Sequence, residues 1–168
     1  DMDGVIARAD KAGVKHMLSI CTHITRFDQV LNIARRYDNV FCTVGIHPHN
    51  AENEPEVDPK ELIRLAEHNK VIGFDLAGPE YNFPPSLHKE ACNLISESEV
   101  GLTIHAGEAA DLSYIEDAVF NCQAQRIGHG WQIIDGCQYK NDTFIPNSKI
   151  AQYVLDKQIP LEICISSN

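Results

Sequence analysis

The sequence contains no CxxC pair, no low-complexity tract and no apolar run long enough to cross a bilayer. Its 14 Lys and Arg are outnumbered by 24 Asp and Glu. Each shortage excludes something. A spanning helix needs about 20 consecutive apolar residues, so no membrane span is expected. Zinc fingers and secreted disulfide scaffolds arrange their cysteines in close, regular pairs. Here Cys21, Cys42, Cys92, Cys122, Cys137 and Cys164 are scattered, several inside apolar runs where Cys acts as a small hydrophobe. No charged, apolar and small-residue leader opens the sequence, so reduced thiols and a cytoplasmic location are expected. A formal net charge of -10 disfavours a nonspecific nucleic-acid binder, which needs a basic face, but leaves a metal-bridged phosphate substrate open.

What is present is alternation. With 168 residues and 43% hydrophobic content, a single α/β domain with one ordinary core is expected. Met2 to Ala12 has helical apolar spacing stopped by Gly13, and Val14 to Cys21 reads as a strand. Phe27 to Tyr37 is the next helix, with Arg35 and Arg36 at its dipole-complementing end, followed by a strand from Val40 to Ile46. Asp58-Pro59 starts a third helix, and Val71 to Leu76 is the third strand. After a Gly-Pro loop, Ser86 should cap a helix reaching Ser96, and Val100 to Ile104 is a fourth strand with the apolar density of one buried on both faces. A helix from Asp111 to Asn121, a strand from Gln125 to Ile127, a polar insertion from Asp135 to Asn147, a helix from Lys149 to Asp156 and a strand from Pro160 to Ile165 complete the order. Six alternating helix-strand units imply a parallel sheet of the incomplete TIM-barrel type, since a closed barrel needs eight units; an open doubly wound sheet is the alternative.

The chemistry gathers where strands end. Leu102-Thr103-Ile104-His105-Ala106-Gly107-Glu108 is an apolar strand ending in a His and a Glu separated by two small residues, which suits a metal ligand and an acid or base. Gly128-His129-Gly130 closes the fifth strand, Asp75 sits on the third, His23 follows the first, and His47 and His49 follow the second. Five of the eight histidines thus fall at one end of the expected sheet, whereas His16, His68 and His88 fall on a strand or helices and carry no assigned role. Imidazole and carboxylate ligands with an acid-base pair nearby are what metal-assisted hydrolysis uses.

Two resemblances follow from these motifs. Gly73-Phe74-Asp75-Leu76-Ala77-Gly78-Pro79-Glu80, Thr103-Ile104-His105-Ala106-Gly107-Glu108, Arg126-Ile127-Gly128-His129-Gly130 and Leu161-Glu162-Ile163-Cys164 with Ser166-Ser167-Asn168 resemble the adenosine deaminase family in order and spacing. From Asp1 to about Ile72, the Ala-Gly-Val helix exit, Arg26-Phe27-Asp28 and Val44-Gly45-Ile46-His47-Pro48-His49 resemble the TatD metal-dependent deoxyribonucleases. Both are amidohydrolase-type TIM barrels, and the change falls near Val71-Ile72-Gly73, so the chain reads as a chimera of a 1–72 and a 73–168 segment.

The deaminase resemblance implies a zinc ligand at His105, a proton donor to the purine ring nitrogen at Glu108, and a residue orienting or deprotonating zinc-bound water at His129. It also implies a backbone contact to the purine at Gly78, with Asp75 behind it. That family takes further ligands from a first-strand His-x-His and an eighth-strand Asp, neither of which is found here. The TatD resemblance shares His105 and His129 as ligands, lacks the same strands, and has Phe74 where that family has a Glu. Zinc is therefore expected to lack a full ligand set unless His47 or His49 is recruited.

The expected protein is a recombined, engineered fragment of an amidohydrolase barrel, weakly active or inactive. The alternatives are a zinc-dependent deaminase of a purine nucleoside and a TatD-like nuclease. Open edges at Val14 to Cys21 and Leu161 to Ile165 would pair into a homo-oligomer.

Overall fold

The computed structural model describes residues 1–166. They form two compact units, Asp1–Ile72 and Gly73–Asn168, divided where the two sets of sequence motifs meet.

In the first unit, Asp1 caps helix α1 (Met2–Lys11) by accepting the Gly4 N–H, and the chain leaves it through Gly13 at φ +88°. Strands β1 (Met17–Ser19) and β2 (Val40–Cys42) pair in parallel, Met17 opposite Val40, with α2 (Phe27–Arg36) connecting them. Phe27, Leu31 and Ala34 are the buried stripe of α2, spaced by four and three residues. Asp58 caps α3 (Pro59–Ala66), its carboxylate accepting the Lys60 N–H and Pro59 filling the first helical position, as the Asp-Pro pair predicts. Val71 then makes a single parallel bridge to Cys42. The runs from Val14 to Cys21 and from Val40 to Ile46 are longer than the strands they form. β1 has one neighbour and β2 adds to it only the Val71 bridge, so most of their backbone finds no ladder.

The second unit is a four-stranded parallel sheet in the order β3 (Phe74–Leu76), β4 (Leu102–Ala106), β5 (Arg126–His129) and β8 (Leu161–Glu162). Neighbours follow chain order without a reversal, which is the winding of a barrel wall. A doubly wound sheet would reverse at a switch point. Helices α4 (Lys89–Glu97), α5 (Leu112–Phe120) and α6 (Lys149–Lys157) intervene. The expected single six-stranded sheet is therefore two sheets, and among the described residues no barrel closes.

Burial along β4 alternates strictly, with Leu102, Ile104 and Ala106 buried and Thr103 and His105 only half-buried. The strand is covered on one face, not both as its apolar density suggested. That face packs with Ile115, Ala118, Val119, Ile127, Ile150 and Val154 into one cluster. Cys92 and Cys122 lie in the same cluster. Burial is the main reason the Cys122 thiol is lifted to about 12.

Two local expectations are corrected. Ser86 caps nothing: it lies in a 3-10 turn (Pro85–His88), its N–H donates to Asp117, and α4 begins at Lys89 without a side-chain cap. The 135–147 insertion holds an antiparallel hairpin, β6 (Cys137–Lys140) and β7 (Thr143–Pro146), turning at Asn141 and Asp142 with φ +52° and +57°. Two consecutive left-handed residues make the primed turn whose twist matches a hairpin. Ser167 and Asn168, the end of the fourth deaminase-like motif, lie outside the described residues.

Candidate functional site

The site is built at the carboxyl ends of β3, β4 and β5. Parallel pairing sets Asp75 beside Thr103 and His105 beside Gly128, so Asp75, Thr103 and His105 share the face of the sheet opposite the apolar cluster. The His105 imidazole lies over Gly128 so closely that a Cβ there would fall 2.6 Å from its Cδ2. Only glycine at 128 leaves room for the ring.

His105 Nε2 and Asp75 Oδ2 are 3.2 Å apart. This hydrogen bond raises the His105 pKa above its ordinary value despite the lowering effect of burial, and the charges of Asp75, Glu108 and Glu162 push the same way.

His129 ends β5 with φ +62°, a left-handed conformation uncommon for a residue with a side chain, and it is buried. Such backbone costs on the order of 1–3 kcal/mol and persists where surrounding structure enforces it. Its ring meets the His105 ring edge-on, centroids 5.1 Å apart at 69°, and its Nε2 stands 3.4 Å from Glu108 Oε2. The structure thus brings together Asp75, His105, Glu108 and His129, with half-exposed carboxylates around two imidazoles.

Gly78 belongs to a cavity of ≈ 120 Å³ beside this group, whose walls include Leu76, Phe83, His88, Ile104 and His105. Ligand pockets usually measure about 300–1,000 Å³, so this cavity is smaller than a site that encloses a whole ligand. His88, set aside in the sequence, is one of its walls.

His47 and His49 lie in the first unit, their rings 4.9 Å apart, and the His49 N–H donates to His47 Nδ1. His23 is in the same unit and hydrogen-bonds the Thr22 hydroxyl. His68 sits past the end of α3, where Arg35 reaches its Nε2.

Among the described residues, no group of three or more His, Cys, Asp and Glu side chains is arranged to hold a metal ion. His105 and His129 make a pair, and Nε2 of His105 is engaged by Asp75. Zinc sites take three or four protein ligands, so the described residues do not fit a complete one.

Sequence reasoning missed the group that organises this site. Glu80 sends its carboxylate under the loop after β4, where it accepts the N–H groups of Gly107, Glu108, Ala109 and Ala110. A signal was available: Gly107, Ala109 and Ala110 offer no side-chain acceptors, so a turn built from them must find one elsewhere. The loop carrying Glu80 is tied down twice more, by the Asn82 N–H donating to the Tyr114 hydroxyl and the Ser86 N–H to Asp117.

The sequence pattern of the adenosine deaminase family matches residues 41–168, beginning inside the first unit. Adenosine deaminase 1 of Streptomyces coelicolor is 46% identical over 111 residues, 64% of this chain and 28% of that protein. The chain spans little more than a quarter of that relative's length. Among solved structures, adenine deaminase from Arthrobacter aurescens superposes with a TM-score of 0.63 at 19% identity, over 95% of this chain and 50% of that one. A TatD homologue from Escherichia coli superposes with a TM-score of 0.54 at 20% identity, over 80% of this chain and 63% of that one. At these identities the superpositions show the fold: an α/β chain of the amidohydrolase barrel type.

Proposed function

The chain belongs to the adenosine deaminase family, and on that premise we propose that its second unit carries the purine-binding and proton-transfer part of a deaminase site, on a partial barrel wall that lacks a complete metal centre. The observation that carries this is the convergence of Asp75, His105, Glu108 and His129 on one sheet face beside the Gly78 cavity.

In this reading a purine ring lies in the cavity against the Gly78 backbone, and Glu108 hydrogen-bonds a ring nitrogen. Glu108 is suited to that task by its exposure toward incoming ligand, with the His129 ring nitrogen 3.4 Å from its carboxylate. Asp75 holds the His105 ring, and Gly128 gives that ring its place. His105 is one zinc ligand in this reading, and the described residues supply no full set with it. No hydrolytic step is assigned, and deamination by this chain alone is weak or absent.

The two-part origin belongs to the same proposal. The motifs change near Val71-Ile72-Gly73, the compact units divide there, and a TatD homologue shares the fold, all of which support recombination of a TatD-like 1–72 with a deaminase-like 73–168. Against a sharp junction, the deaminase family pattern reaches back to residue 41. Association of copies through β1 and β8 completes the reading, because Leu18, Ile20 and Ile163 are exposed along those edges.

Zinc content and an adenosine-to-inosine absorbance assay on the whole chain test the function. Substoichiometric zinc, reduced further by His105→Ala, and turnover near background are expected. Stoichiometric zinc with turnover would establish a complete deaminase. Metal lost on His47→Ala or His49→Ala but retained in His105→Ala, together with cleavage of DNA ends, would move the site to the TatD-like segment. Sedimentation equilibrium checks association, and a monomer at all concentrations would refute that part.

A further inference from the structure

Glu80 is one side chain shared by two parts of the site. It follows Gly78 and Pro79 in the cavity wall and is itself half-buried there. Its carboxylate leaves the cavity side and enters the loop between β4 and α5. Oε1 accepts from Gly107 and, at 3.4 Å, from Glu108; Oε2 accepts from Ala109 at 2.6 Å and Ala110 at 2.7 Å. Four consecutive backbone donors therefore face one anion. Gly107 and Ala110 are buried, so these amides have little water to turn to, and hydrogen bonds to an ionised acceptor are the strong kind. Gly107 holds φ +71°, a turn that lets successive N–H groups point inward together.

The consequence lies at Glu108. Its backbone sits in the middle of the gathered amides, while its side chain points out to His129. The loop's two other anchors, Tyr114 and Asp117 on α5, hold Asn82 and Ser86. They brace the loop, whereas Glu80 gathers the N–H groups of the turn that aims Glu108; on the carbonyl side the Gln132 N–H donates to Gly107.

We propose that Glu80 is the positioning residue for Glu108: by collecting the amides of residues 107–110 on one carboxylate, it fixes where the Glu108 side chain meets His129 and locks that placement to the Gly78 wall of the cavity. The catalytic meaning of this rests on the proposed function, but the positioning itself does not. A ligand that shifts the Gly78 wall shifts Glu108 through the same carboxylate, and a neutral side chain at 80 uncouples the two.

The test uses the full chain labelled with 15N and 13C, without metal or purine. Amide hydrogen exchange is read at residues 102–110, and the placement of Glu108 is read from the nuclear Overhauser contact between its γ protons and the His129 ring. In Glu80→Gln, whose amide group brings donors against donors, exchange at Gly107, Ala109 and Ala110 should quicken by at least about tenfold while Leu102 and Ile104 keep their protection. The Glu108–His129 contact should disappear. Asp117→Asn, which loosens the loop's brace and leaves the turn untouched, should preserve both. Equal effects of the two variants would reduce Glu80 to a brace, and an unaltered turn in Glu80→Gln would refute the proposal outright. Should Glu80→Gln fail to fold, Glu80→Asp decides: its shorter carboxylate cannot span both amide pairs, so exchange at Gly107 or Ala110 must rise in a folded chain. Unchanged exchange, or loss of the fold in both variants, overturns a positioning role. Adding a purine riboside afterwards tests the proposed function separately, since failure to bind would leave these results standing.

Discussion

The second unit gathers its buried residues into one cluster beneath a four-stranded sheet, whereas in the first unit two three-residue strands pair and the leading helix α1 buries no residue at all. Both units have helices of clear amphipathic pattern and good caps. They differ in how many neighbours each strand has. β4 lies between β3 and β5, and β5 between β4 and β8. The two imidazoles with the best-defined surroundings, those of His105 and His129, are carried by these doubly flanked strands. His47 and His49 follow β2, which pairs with β1 and otherwise meets only the single bridge from Val71; their rings lie against each other and the His47 N–H donates to the Thr22 carbonyl. A site needs its side chains fixed by structure with its own support, and here that support is sheet pairing above a continuous core.

The largest effect that sharpens this contrast is on stability. Ile104 is fully buried in the cluster, so Ile104→Ala should cost about 2–5 kcal/mol in urea unfolding. Leu18 is 43% exposed on β1, and Leu18→Ala should cost less than about 1 kcal/mol. Equal costs would erase the distinction between the units. Next comes Gly128→Ala. With the added carbon 2.6 Å from His105 Cδ2, the ring must move, at a cost of about 1–3 kcal/mol, and the His105 ring resonances should shift more than any other aromatic signals. A variant with unmoved His105 signals would show that the ring does not rest on that glycine.

A separate effect, confined to alkaline solution, comes from Cys122. The Cys122 thiol is raised from 9.0 to about 12, chiefly by burial, so the unfolded chain loses this proton from about pH 9 while the folded chain keeps it until about 12. Stability from this group is complete below pH 9 and declines across that window, by at most about 1.4 kcal/mol per pH unit. Cys122→Ala should flatten the decline in a pH series of thermal unfolding. An unchanged slope would mean that the thiol ionises in the folded state as freely as in the unfolded one.

Much of this organisation was legible beforehand, for identifiable reasons. Helices announce themselves locally: Asp58-Pro59 marks the start of α3, Gly13 follows the end of α1, and Leu31 and Ala34 declare a buried face. The strand-end residues Asp75, His105, Glu108 and His129 were named because an apolar run stopping at a His or carboxylate is visible in one dimension. Strand extent was not, because it depends on partners. Val14 to Cys21 looks the same in sequence whether one neighbour pairs with it or two, and it yields only Met17–Ser19. One-sided burial of β4 escaped notice because Thr103 is small and β-branched and so reads as apolar filling. Glu80 escaped because its partners are backbone amides, which every sequence has and no residue letter displays. The Asn141-Asp142 turn could have been read, since both residue types tolerate positive φ, but the polar insertion around it masked the strand alternation.

Under the proposed function, the second unit, and not the first, presents the ligand-binding end of a purine site. Backbone amide shifts of the full chain, titrated with a purine riboside, test it directly. Perturbations should concentrate at Gly78, His105, Glu108 and His129; perturbations centred on His47 and His49, or none anywhere at millimolar ligand, would refute the proposed site.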